Sequence, residues 1–90
     1  MKLKFRNKTF NFVRKNKITM DGEKLEGFCE HPSEKAKKIV IDKNLTDEAE
    51  LEVLVHEMIH ACFFDLSEDS VNQSAADVAR ALWRLGYRKT

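Results

Sequence analysis

Apolar positions alternate with polar ones through the first third of the chain and then change period. Leu3 to Arg6 and Thr9 to Arg14 alternate every second residue, the pattern of strands with one face in water, and predict a hairpin around Asn7-Lys8. Ile18 and Met20 precede Asp21-Gly22, a strong turn signal. Leu25 to Glu30 reads as a short strand ended by Pro32, and Lys38 to Asp42, with Ile39-Val40-Ile41 at its centre, as a β-branched strand.

Beyond residue 45 the period becomes helical. Leu51, Leu54, Val55, Met58, Ile59 and Cys62 recur at helical spacing, and no Gly or Pro falls between Thr46 and Asp65. Thr46 is placed to cap this helix, and Asp47, Glu48 and Glu50 suit the positive end of its dipole. The helix is predicted over about Asp47 to Phe64, its apolar stripe packed on the sheet. After a tight corner at Asp65-Leu66, Ser67 can cap a second helix with Glu68 and Asp69 in its first turn. Val71, Ala75, Val78, Ala79 and Leu82 form its apolar side, and Gly86 is the expected stop. Trp83 and Tyr87 are expected to close the bottom of the core. The expected architecture is one α+β domain over residues 1–90: a small, antiparallel-rich sheet of three or four strands packed on two helices.

The predicted first helix carries His56-Glu57-Met58-Ile59-His60, the pattern H-E-x-x-H. Two imidazoles four residues apart lie one turn above each other, so both can reach one metal ion, and the carboxylate beside the first is placed to handle a water molecule. They fall roughly 100–140° round the helix from Val55, beside the apolar stripe and not inside it. The bland alternative is a surface helix with two solvated histidines. A catalytic Zn²⁺ usually takes three protein ligands. With about 100° per residue, Glu68 falls only about 20° from Ala75 on the inner side of the second helix, and Asp69 about 120° away. The third ligand is therefore sought at Glu68, next at Asp69 if that helix begins a residue later, or at Cys29, whose thiolate also suits zinc beside two histidines. Asn72 faces inward too, but an amide is a poor zinc ligand.

Composition narrows the partners. The 16 basic and 15 acidic residues nearly cancel, which argues against a dedicated electrostatic nucleic-acid binder. The basic, aromatic-interleaved first seventeen residues read as a half-solvated strand before they read as a single-strand binding surface. No run approaches membrane-spanning length and the N-terminus has no signal-like apolar region, so a cytoplasmic protein with Cys29 and Cys62 as free thiols is expected.

The motif with its flanks, Leu51 to Ala61, then Asp65 to Asp69, then Ala79 to Tyr87, resembles the minimal zincin metallopeptidases, and more closely small metallopeptidases encoded by bacteriophages. More loosely, the resemblance extends to Gly27-Phe28-Cys29-Glu30. It implies a small sheet whose edge strand runs beside the metal-binding helix, and a host cytoplasmic location if the chain is phage-encoded. The expected function is a zinc-dependent metallopeptidase: His56, His60 and Glu68 hold Zn²⁺, and Glu57 is general base for the attacking water. The peptide or protein substrate would add as an extended strand to an open edge, at Lys38–Asp42 or Leu25–Glu30. His31 and Tyr87 are candidate oxyanion donors. The rival readings are a non-catalytic zinc-stabilised interaction module, a metallohydrolase of a non-peptide substrate, and a protease docked on nucleic acid by its basic hairpin.

Overall fold

In a computed structural model that describes residues 1–89, the N-terminal half is a mixed four-stranded sheet with a separate hairpin. Strands β1 (Lys2–Phe5) and β2 (Lys8–Lys15) pair antiparallel. Their turn is Arg6-Asn7, one residue earlier than expected, because both residues take the positive φ (48° and 66°) that a two-residue turn of this twist needs. Strands β3 (Ile18–Met20) and β4 (Glu23–Leu25) form the second hairpin about Asp21-Gly22. The expected strand Leu25–Glu30 is divided. Leu25 ends β4, and β5 (Gly27–Cys29) starts after Glu26 in the other sheet, since one ladder cannot serve both β3 and β6. Strand β6 (Lys38–Asp42) lies between β2, to which it is parallel, and β5, to which it is antiparallel. The order β1-β2-β6-β5 closes both sides of β6. Lys38–Asp42 therefore offers no open edge, whereas β5 does.

Alternation on these strands builds the core. Phe10, Phe12, Ile39 and Ile41 bury one face of the sheet with Ala61 of the first helix, and Leu3, Phe5, Cys29, Val53 and Leu54 pack around them. Phe5 meets Phe10 edge-to-face at 5.9 Å. Val40 points to the other face and is also fully buried, so neither side of β6 is solvated.

Helix α1 (Asp47–Cys62) begins at Thr46, which has the extended backbone of a cap but makes no side-chain cap bond. It ends at Cys62, two residues sooner than expected, with Phe63 as its C-cap. Its buried residues are Glu50, Glu57 and Ala61, a single stripe along the sheet. Of the stripe expected to face the sheet, only Leu54 joins the core cluster; Leu51, Val55, Met58, Ile59 and Cys62 are half-buried elsewhere on the helix. Helix α2 (Glu68–Arg84) is capped by Ser67, whose Oγ accepts from the Ser70 amide at 3.1 Å, and packs chiefly on α1. Val71, Ala75 and Ala79 are fully buried, one turn apart, and their small size permits close approach. Val78 is not part of that side, being 44% exposed. The helix ends with Gly86 at φ 98°, the Gly86 amide donating to the Trp83 carbonyl and that of Tyr87 to Leu82, as expected for a left-handed stop. This turn carries Tyr87 outward, to 63% exposure, so it does not close the core; the Arg88 guanidinium covers the Trp83 ring at 3.4 Å. Among the described residues no helix is long and apolar enough to cross a membrane.

Buried Glu50 is held by Arg14 Nη2 and Lys89 Nζ, each at 3.3 Å. The tightest fit between sheet and helix is at Gly27. A methyl there would lie 2.9 Å from the Val40 carbonyl oxygen, 3.0 Å from Val53 Cγ1 and 3.4 Å from Glu57 Oε2. Backbone on one side and a packed helix on the other leave it nowhere to go. Gly27→Ala is expected to destabilise the protein by ~1–3 kcal/mol, read as a lower urea midpoint at unchanged m. An unaltered midpoint would show that α1 is free to shift.

Candidate metal centre and cleft

His56 and His60 stand one turn apart on α1, ring centroids 4.9 Å apart, beside the stripe of Glu57 and Ala61 and toward the start of α2. The corner between the helices is short, with the Leu66 amide donating to the Phe63 carbonyl, and it sets Glu68 as the first residue of α2 opposite them. Glu68 Oε1 lies 3.2 Å from His56 Nε2 and 3.1 Å from His60 Nε2. The expected inward aim of Glu68 is corrected in one respect: its side chain is 61% exposed and reaches the histidines from the rim, because a first-turn residue at a corner is open to solvent on its outer side.

Four donors about a small divalent ion at bonds of roughly 2.0–2.1 Å are separated by about 3.3–3.4 Å. The two His–Glu separations approach that spacing, and two imidazole nitrogens with a carboxylate oxygen are a common donor set for such an ion. Glu57 competes for the third place, since one of its oxygens falls within 4.8 Å of the histidine donors. Glu68 is the better fit. A single oxygen of it lies between both nitrogens, whereas Glu57 is turned about 100° from His56 toward Gly27 on β5. His60 Nδ1 is buried with no hydrogen-bond partner among the described residues, although a metal-bound imidazole usually donates its second N–H to a carbonyl or carboxylate.

Glu57 is 5% exposed and makes no ion pair among the described residues. Burial, and after it the negative charge of Glu68, pushes its carboxyl up to about 7. Cys29 lines the same cleft, but its thiol donates to the Glu30 carbonyl at 3.4 Å. Burial first, then the carboxylates of Glu57 and Glu30, pushes that thiol up to about 12. Cys29 and Cys62 are both free. Asp69 and Asn72 are exposed, the latter on a neighbouring cleft beside Glu52 and Glu57. Tyr87 lines a cleft with Asp47 and Leu51 at the far end of α1 and cannot serve the histidines. His31 lies outside this cleft, on the far side of the Phe64 ring at 4.6 Å.

The histidines and both glutamates open into a cleft of about 420 Å³ whose other walls are Gly27, Phe28 and Cys29 of β5 and Phe64 and Leu66 of the corner. Asp42 donates its amide to the Glu26 carbonyl and Glu30 donates its amide to that of Lys38. By antiparallel alternation Glu26, Phe28 and Glu30 thus turn their main-chain groups to β6, while Gly27 and Cys29 turn theirs to the free edge. Gly27, Phe64 and Leu66 escaped the sequence reading as wall residues; a lone glycine in a strand was the one available signal of close approach.

Comparisons of the chain with protein-family models, with curated proteins and with solved structures find no match.

Glu68→Ala is expected to lower the divalent metal retained per chain severalfold, measured by elemental analysis after gel filtration. Unchanged metal content would pass the third position to Glu57 or Cys29.

Proposed function

We propose that the protein is a zinc-dependent metallopeptidase. The observation that carries this reading is the placement of a buried carboxylate, Glu57, on the floor of an open cleft next to two histidines that share one Glu68 oxygen. His56, His60 and Glu68 would hold the ion, their nitrogen and oxygen donors suiting zinc. When bound, the ion supplies Lewis acidity that polarises a carbonyl and acidifies water. Glu57 takes the proton of the attacking water as its oxygen bonds to the carbonyl carbon, and delivers it to the amide nitrogen as the C–N bond breaks. The substrate adds as an extended strand beside β5, where the outward N–H and C=O groups of Gly27 and Cys29 fix its register. Phe28, Phe64 and Leu66 narrow the cleft around it. The resemblance of the motif and its flanks to minimal zincins supports the same reading, and two free thiols suit a reducing cytosol.

One feature favours a second reading. The three donors come from both helices, so a metal would also staple α1 to α2, as in a non-catalytic zinc-stabilised module. Glu57→Gln separates the two, because it leaves the donors untouched. The variant is expected to keep its zinc and its thermal midpoint while cleavage of casein or a quenched peptide pool falls at least ~100-fold. Equal cleavage by both forms would remove Glu57 from this role, and absence of cleavage by a zinc-loaded wild type would favour the staple.

A further inference from the structure

Behind Phe64 lies a second cleft of about 410 Å³, and Phe64 is the wall it shares with the first. Its character differs. Arg6 and Lys8 from the first hairpin and His31 after β5 meet the aromatic rings of Phe63 and Phe64 there, with Asp65 as its one acidic side chain.

We propose that this second cleft is a specificity subsite that takes a carboxylate of the substrate, either an acidic side chain or the free chain terminus. The proposal deepens the peptidase reading and rests on it. Arg6 is held in place: Nη1 donates to the Cys62 carbonyl at 3.1 Å and the guanidinium lies over the Phe63 ring at 5.2 Å. That leaves further N–H groups of a fixed, planar donor for a planar carboxylate. Lys8 is exposed and makes no ion pair among the described residues. His31 Nδ1 accepts from the Ser33 amide at 3.1 Å, which leaves the ring proton on Nε2 as a donor. The ring itself packs edge-on against Phe64 at 4.6 Å. One anchored cation, Arg6, one free cation, Lys8, and an N–H donor against one Asp65 carboxylate make a net positive wall.

The route into it follows from β5. The chain leaves the metal cleft at Cys29 and reaches His31 two residues on, a rise of about 7 Å. A peptide lying along the free edge of β5 therefore spans both clefts. Its carboxylate would sit about two or three residues from the bond beside Glu57.

The test uses the zinc-loaded full chain and three matched peptides: one with Glu and an amidated end, one with Gln and an amidated end, and one with Gln and a free terminal carboxylate at the same distance. The Glu peptide, the free-terminus peptide or both should be cleaved with kcat/KM about tenfold above the amidated Gln peptide, and which of them leads identifies the source. The preference should shrink with added salt and in Lys8→Gln, a variant chosen because Lys8, unlike Arg6, anchors nothing else. Equal kcat/KM for all three overturns the proposal. A binding arm keeps the two claims apart: anisotropy of the same labelled peptides on Glu57→Gln protein. If nothing is cleaved but a carboxylate peptide binds more tightly and Lys8→Gln erases the difference, the subsite stands and the peptidase reading falls. If binding ignores charge, the subsite falls whatever the activity.

Discussion

Helix α1 is an interior layer, and most of this molecule follows from that constraint. It packs on β1, β5 and β6 with one side and on α2 with another, so a sixteen-residue helix has almost no free circumference. The contact that sets its height is at Gly27, where strand backbone and the Val53 and Glu57 side chains come too close for a Cβ. From that seat, Ala61 and Leu54 reach the phenylalanines of β2, and Val71, Ala75 and Ala79 bring α2 against the other side. His56 and His60 occupy the strip left over, where the sheet ends and α2 begins. Their position is the remainder of a packing problem solved by other residues.

The same helix buries two glutamates on one stripe and treats them differently. Glu50 has Arg14 and Lys89 beside it, so its charge is compensated and it ties β2 and the C-terminal segment to the start of α1. Glu57, two turns on, has no such cation, and its carboxyl is pushed up instead. A protein built only for stability would gain by an apolar residue there. Uncompensated buried carboxylates in clefts concentrate where proton transfer is needed, and Glu57 belongs with His56 and His60 to the one group among the described residues whose donor atoms converge closely enough to hold a metal ion.

The corner 63–67 couples the two clefts. It brings Glu68 to the histidines and, through Phe64, divides the histidine cleft from the cationic one. Phe64 touches rings on both sides, His60 at 5.9 Å and His31 at 4.6 Å. A short loop thus fixes both a donor and a wall, which a longer, freer connection would not hold in register.

Local sequence determined what depends on neighbours a few residues away. The first hairpin, the turn at Asp21-Gly22, strand Lys38–Asp42, the helix starts after Thr46 and Ser67 and the stop at Gly86 were readable because turn chemistry and period act within one or two turns of chain. The pairing of His56 with His60, and the approach of Glu68, could be read for the same reason, since helix geometry and a short corner leave little freedom. Tertiary structure alone decided which side of α1 meets the sheet, because a helix apolar nearly all round does not declare a face. It also decided that β6 is interior and β5 the free edge, that residues 25–30 split between two sheets, and that Tyr87 swings into solvent. These outcomes depend on long-range contacts competing for the same surface, and no local pattern encodes the result of that competition.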